Sequence, residues 1–531
     1  MLILKSHHIF DSLAGTTFSG YLKVEGERIT AILSERAAQL AIANGAKLLD
    51  YSQQMIVPGF IDAHTHFFLS ALIHQKKIWP LVTASENDYA EEASRFSAYR
   101  GWTVAIGWYS SDWEVDQLPT KATLDHYFDK RPCAMVSGDA HTLWLNSAAM
   151  DKLAIGPATI PTDIGGEAVV ENGQLTGVFF EALAIYYLGQ ILADYRHDSV
   201  QDYRSYMSYL NQFGITSCTD IALTGDSGDD LIYPEIYQQL QVKARPTMRV
   251  SLYPAMREDT RRILAMKETL TGNFVTLGGV KQFFDGVTST RTALMMADYP
   301  DPNFPGEIGQ SLIPIERLRD YILEANRLDL PMRIHVVGDR ATHLALDYYA
   351  ESYQRHPLSE GKYNTLEHLE CVYPTDFSRL GQPQLVLSVQ PSHVLVGYES
   401  LVAEVGPERL PYMFAFKSFI ENHAILGFGT DTPVVLDVTP LESIYYAVFR
   451  KGMDGLPVEG VNYQEALTIP QALTAHTLGA AKAMSRTDIG QLGVGKLADF
   501  VILDHNILDD GPDALEKTRI IATYVGGQKV T

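Results

Sequence analysis

The sequence predicts an α/β protein: a (β/α)8 TIM-like barrel, a small β-sandwich domain built from both termini, and a large insertion after the first barrel strand. Three observations carry this expectation. Through the middle of the chain, apolar strand-like runs alternate with longer helix-like runs, the pattern of parallel βαβ units. Both ends have the texture of short strands and turns. Between the first two strand candidates lies a gap far too long for an ordinary βα connection.

From the start of the chain, Met1 to Ile9 is apolar and β-prone, Gly20 to Leu33 reads as paired strands, and Lys47 to Val57 is an apolar run before Pro58-Gly59. Eight strand candidates follow: Gly59–His66, Ile215–Ile221, Met248–Tyr253, Gly279–Phe284, Met332–Val337, Asn364–Glu370, Leu385–Gln390 and Ile425–Gly429. Helical stretches such as Ile315–Arg327, Arg340–Ser352 and Tyr412–Asn422 separate most neighbours, and eight such strands close most economically into a barrel. Roughly 120 residues, about 68 to 186, read as an insertion on the catalytic face. It holds Trp79, Trp102, Trp108, Trp113 and Trp144, which either line a pocket or, as favoured for most of them, form its core; Gly165-Gly166 within it reads as a turn. The far end returns to strands, Lys496 to Asp504 and Arg519 to Val530, with a Gly526-Gly527 turn. The expected division is 1–57 with 487–531 as one composite β domain and 58–486 as the barrel.

Composition narrows the classes. The 531 residues carry 42 Lys+Arg against 64 Asp+Glu, a net charge of −22, so no basic excess exists to coat nucleic acid. Cys133, Cys218 and Cys371 are scattered and form no CxxC pair, which fits a reducing compartment. The opening Met1 to His8 lacks a basic leader, and no apolar run reaches membrane-spanning length. A cytoplasmic protein with a small-molecule substrate, no nucleic-acid partner and no membrane is therefore expected, with a homodimer the base-rate assembly. Gly493-Val494-Gly495-Lys496-Leu497-Ala498 formally fits GxGxxA, but it leads into a strand where a dinucleotide site needs a helix.

The chemistry begins at His64-Thr65-His66, which ends the first strand candidate. Residues two apart on a strand share a face, so two imidazoles at its C-terminal end make half of a site for zinc or a similar divalent ion. Further donors stand at the ends of later strands: His335, His368 in Glu367-His368, and Asp431 after Gly429-Thr430. Lys281 lies within the apolar run Gly278 to Phe284, where a bare ammonium is costly unless paired or neutralised. Pairing with Asp285 or Asp220 is one solution; carbamylation, which makes the lysine a carboxylate-like ligand, is another. Asp431 has its own structural alternative as a helix cap.

These motifs, in this order, resemble the amidohydrolase superfamily, in its amidohydrolase-3 branch, which includes N-substituted formamide deformylases. The resemblance runs over nearly the whole length. It rests on Pro58-Gly59-Phe60-Ile61-Asp62-Ala63-His64-Thr65-His66, the Gly138 to Ser147 segment, Val280-Lys281-Gln282-Phe283-Phe284-Asp285-Gly286 and His335 to Ala341. It continues through Glu367-His368, Gln390-Pro391-Ser392-His393, Gly429 to Val434 and Leu492 to Asp499. It implies that His64 and His66 bind one metal, that carbamylated Lys281 bridges it to a second held by His335 and His368, and that Asp431 completes the first shell and shuttles protons. One or two divalent ions, zinc first among them, follow. Val287 departs from the Asp-Gly-Ser often found in this branch.

The resemblance implies hydrolysis of an amide-like C–N bond by a metal-activated water, with His393 a candidate donor to the oxyanion. His141 and Asp139 either bind substrate from the insertion or order its turn; Arg340 either contacts substrate or opens a helix. The same activated water would serve a hydrolytic deaminase or a lactone or ester hydrolase, and a non-catalytic binding protein on a retained barrel is the alternative outside enzymes.

Overall fold

The computed structural model describes all residues except 116, 163, 165, 227, 301–304, 436–437 and 510–511, so Gly165 of the expected turn lies outside the described residues. Eight parallel strands organise the middle of the chain. They are β1 (Phe60–Asp62), β2 (Ile215–Ile221), β3 (Arg249–Tyr253), β4 (Val280–Phe283), β5 (Met332–Val336), β6 (Asn364–His368), β7 (Leu385–Val389) and β8 (Leu426–Phe428). Every residue in them is buried, as expected where both faces of a parallel sheet are covered. All eight coincide with runs read from the sequence, and one short strand, Val275–Leu277, was not read there.

Hydrogen bonding divides these strands into two ladders. One runs Val275–Leu277, β3, β2, β1; the other runs β4, β5, β6, β7, β8. The ladders touch at both edges. A parallel bridge joins Ala255, just past β3, to Lys281 of β4, and Lys281 N–H donates to Pro254 O at 2.9 Å. At the opposite edge Ala63 N–H donates to Phe428 O at 2.9 Å, and Thr65 bridges Thr432.

Helices pack outside with apolar stripes at three- and four-residue spacing. In Ile315–Arg327 the buried positions are Leu318, Tyr321, Ile322, Ala325 and Asn326; in Asp339–Arg355 they include Ala341, Ala345, Leu346 and Tyr349. The helix expected over Tyr412–Asn422 is shorter, Phe416–Glu421, because Phe414 sits at φ 49° and breaks the turn.

The insertion builds a sheet of its own, six strands with Trp79–Pro80 at one edge and Glu167–Glu171 at the other. Trp108, Trp113 and Trp144 pack with ring centroids 5.6 to 6.3 Å apart inside it, and Trp79 stacks on Phe96, so these side chains form core. Both chain ends enter one eight-stranded sheet, in which Phe500–Leu503 pairs with Met55–Pro58 and Leu2–Asp11 pairs with Thr16–Glu25. The two-layer sandwich expected there is, as hydrogen-bonded, a single continuous sheet.

Candidate metal centre

The donors expected from the sequence converge at the C-terminal ends of the parallel strands. His64 and His66 lie just beyond β1, not on it; the strand stops at Asp62. Their backbone is held instead by the segment after β8, through Asp431 N–H to His64 O (2.8 Å) and His66 N–H to Thr432 O (2.9 Å). Asp62 fastens the same two segments, accepting His64 N–H (3.2 Å), Thr430 N–H (3.0 Å) and the Thr430 hydroxyl (2.7 Å). Gly429 is required here, since a Cβ on it would fall 2.6 Å from the His64 Cβ and backbone nitrogen.

Asp431 Oδ1 then lies 3.2 Å from Nε2 of both His64 and His66, and Asp431 Oδ2 lies 3.6 Å from His393 Nε2. The His335 and His368 rings follow, centroids 4.5 Å apart, with His368 4.9 Å from His64. His368 and Asp431 both adopt left-handed backbone, φ 71° and 60°, a costly conformation for non-glycine residues that aims their side chains into the site.

Each imidazole is oriented by an acceptor on its far side. Nδ1 of His64 donates to Glu367 Oε2 (2.6 Å), of His66 to Ile221 O (2.9 Å), of His368 to Gln390 Oε1 (3.0 Å) and of His393 to Glu370 Oε1 (3.3 Å). His335 donates from Nε2 to Gly286 O at 3.2 Å. In a neutral ring such a bond fixes the tautomer and leaves the other nitrogen as a lone pair, the state a metal needs. Nε2 of His64 and Nε2 of His66 thus each lie 3.2 Å from one Asp431 oxygen, and the three atoms fall within 4.8 Å of one another, a spacing that suits a shared cation.

The charge states agree with that geometry. Burial, reinforced by the Lys281 charge at His335 and the His335 charge at His368, holds both imidazoles well below their ordinary value, and burial likewise lowers His66. Burial opposes ionisation of Asp431, but the imidazoles around it, His64 foremost, hold it well below the usual carboxylate range. His64 is the exception: burial pulls it down, yet the charges of Asp431 and Glu367 outweigh that and raise it.

Lys281 is fully buried, and its Nζ has no hydrogen-bond partner among the described residues; it lies 4.9 Å from the Phe283 ring centroid. Neither expected carboxylate is engaged with it. Asp285 accepts the N–H groups of Leu294, Val337 and Gly338, while Asp220 accepts Phe67 N–H and the Tyr237 hydroxyl. Burial, against the attraction of Glu367, pushes the ammonium down to about 8.

All six expected ligands line one cavity of about 240 Å3, together with His393, His141 and Asp139. His141 donates from Nδ1 to Glu181 Oε2 at 2.6 Å, and Asp139 Oδ1 accepts from Ser137 Oγ (2.5 Å) and His141 N–H (3.0 Å). Arg340 is not among the lining residues; it stands in the first turn of Asp339–Arg355 with its N–H donating to Leu294 O at 3.1 Å.

Against that geometry, a sequence profile described as the Amidohydrolase family matches residues 47–531. The chain belongs to the amidohydrolase family. This amidohydrolase is 27% identical to the protein LONG AFTER FAR-RED 3 of Arabidopsis thaliana, over 100% of this chain and 91% of that one. It is 25% identical to an N-substituted formamide deformylase of Arthrobacter pascens, over 95% and 93% of the two chains. Among solved structures, an uncharacterized metal-dependent hydrolase from Pyrococcus horikoshii OT3 superposes with a TM-score of 0.74 at 23% identity, covering 94% of this chain and 97% of that one, which is a likeness of fold. Among the described residues of the amidohydrolase, no helix is long and apolar enough to cross a membrane.

Several residues of the site were not singled out in the sequence. Glu367 and Gln390 orient His64 and His368, Asp62 ties the His64 and Thr430 segments, and Tyr109, Glu370 and Glu404 line the cavity. Asp62 and Glu367 stand close to His64 and His368 in the motifs themselves, a signal available to reading; Tyr109 and Glu404 carry none.

Proposed function

We propose that this amidohydrolase is a metal-dependent enzyme on a (β/α)8 barrel that hydrolyses an amide-like C–N bond, other than a peptide bond, in a small organic substrate. The observation that carries the reading is the set of three buried polar atoms in one place, Lys281 Nζ, Asp431 Oδ1 and His393 Nε2, none with a hydrogen-bond partner among the described residues. Buried polar atoms are rarely left so, and an ion or substrate is the economical explanation. The contacts between the two ladders at both edges support barrel closure.

His64, His66 and Asp431 would hold one divalent ion. Carbamylated Lys281 would reach toward a second held by His335 and His368. The imidazole-rich donor set favours zinc. When bound, such an ion supplies Lewis acidity and water of pKa about 7.

The protein's own groups do the rest. Asp431, ionised and against His64 and His66, accepts the proton of the attacking water and delivers it to the leaving nitrogen. His393, its ring fixed by Glu370, presents Nε2 beside Asp431 and donates to the developing oxyanion once that nitrogen carries a proton. His141 and Asp139 contact the substrate from the insertion side. The Arthrobacter pascens relative is by name a formamide deformylase, which supports a C–N bond as target. We place the enzyme in the cytoplasm, acting on small molecules as a homodimer.

The test is product analysis of metal-loaded protein on amides, amines and lactones. Release of an amine with a carboxylate supports the reading. Ammonia as product, or turnover of lactones alone, replaces the C–N amide target; retained inactivity with full metal occupancy replaces catalysis with binding.

A further inference from the structure

Resting on that reading and deepening it, we propose that the site selects amides whose flanking groups are neutral or cationic and discriminates against those carrying a carboxylate near the scissile bond. The case lies in what lines the cavity outside the six ligand positions. Among the described lining residues, Asp112, Asp139, Glu370 and Glu404 are acidic, and there is no arginine. Two histidines are left among the described lining residues, and each faces an acid: His141 is paired at 2.6 Å with Glu181, and His393 Nδ1 lies 3.3 Å from Glu370. Lys281, the only ammonium among the described lining residues, is fully buried.

The acids come from separate segments, so the pattern is a property of the cavity and not of one loop. Asp112 and Asp139 belong to the insertion, Glu370 follows β6, and Glu404 stands on the helix Leu401–Val405. Glu404 is held in place, accepting the Thr288 hydroxyl at 3.0 Å and the Ser400 hydroxyl at 2.5 Å. The remaining surface includes Ile185, Phe283 and Phe414, which accept an alkyl or aryl group.

A substrate carboxylate entering here would lose water while the wall histidines, His141 and His393, already face Glu181 and Glu370, and it would approach like charges. An ammonium would meet acids, and an uncharged ring would meet apolar side chains. The positive charge of any bound metal falls at the scissile group, where the ligands converge.

The experiment uses the full-length, metal-loaded enzyme and three compounds of matched size: N-formylbenzylamine, its 4-aminomethyl analogue and N-formylphenylglycine. The expected kcat/KM for the carboxylate compound is at least about tenfold below the other two, a gap that narrows in high salt and in Glu404→Gln. Equal or better turnover of N-formylphenylglycine by the wild-type enzyme overturns the proposal while leaving the hydrolase reading intact. Absence of turnover on all three, with metal bound, overturns both.

Discussion

Glu367 Oε2 lies 2.6 Å from His64 Nδ1, and its other oxygen lies 2.6 Å from Arg333 Nε, so one buried carboxylate joins a fully buried guanidinium to the His64 imidazole. Burial works against its ionisation, but the charges of Arg333 and His64 hold it far below the ordinary carboxylate range. Glu367 therefore stays a full acceptor for the His64 Nδ1–H and turns Nε2 toward Asp431.

Glu367→Gln preserves shape and removes the charge. The expected outcome is metal affinity about 10- to 100-fold lower. The buried Arg333 also loses its partner, a loss of about 3–5 kcal/mol. Competition against a chelator and denaturant unfolding at pH 7 measure the two. An unchanged metal affinity would show that the carboxylate does not orient the ligand.

His66→Ala removes one of the two lone pairs facing Asp431 and opens the shell. Metal analysis after dialysis is expected to show a substoichiometric first site, with activity lost and regained only at excess metal. Full metal content and undiminished turnover in this variant would remove His66 from the ligand set.

Much of this was legible because the superposed constraints are local: imidazoles and carboxylates just after apolar runs of strand length. Glu367 was not singled out because strict alternation along β6 would send it and His368 to opposite faces. The left-handed backbone at His368 turns its ring back, so both serve the site. The same turn ends β6 at His368, two residues short of the expected Glu370. The acidic lining of the cavity was hidden for a different reason. Asp139 was read as a candidate, but Asp112 and Glu404 lie far from it in sequence, and only folding of the insertion against the later loops brings the three to one cavity.

Lys281 gives a prediction that depends on pH. In the metal-free, unmodified protein its ammonium titrates at about 8, below the ordinary 10.5, so the folded state resists a proton that the unfolded chain holds. That penalty, on the order of 3 kcal/mol, is full below about pH 8 and fades as pH rises toward 10.5. Lys281→Met is therefore expected to raise the Tm of metal-free protein at pH 7, with the gain shrinking at pH 10. It is also expected to abolish binding of a second metal and to lower kcat at least about 100-fold. A lower Tm at pH 7 would mean that Lys281 has a stabilising partner.

Arg249 and Asp499 connect the parallel strands to the sheet formed by the chain ends. Arg249 Nε lies 2.7 Å from Asp499 Oδ2, a second nitrogen lies 3.0 Å from Oδ1, and Gly526 N–H also donates to that carboxylate. Asp499→Ala strips a buried guanidinium of its bidentate carboxylate, leaving Glu27 at 3.8 Å and the Asn273 carbonyl at 3.2 Å, and is expected to cost about 3 kcal/mol. The loss should appear as a lower Tm with kcat per folded, metal-loaded molecule nearly unchanged. A proportionate fall in kcat would couple this contact to the site.

Glu181 and His141 supply the last prediction. Burial disfavours the imidazolium, but the Glu181 charge at 2.6 Å overcomes it and raises His141 to about 9. Because the folded value exceeds the unfolded one, the pair stabilises the fold fully below about pH 6.5 and loses that contribution as pH rises through about 9. Glu181→Gln is expected to lower Tm at pH 6 and much less at pH 10. With the ring no longer held by a carboxylate, KM should rise more than kcat falls if His141 contacts the substrate. A pH-independent fall in Tm with KM unchanged would reduce the pair to a packing contact in the insertion.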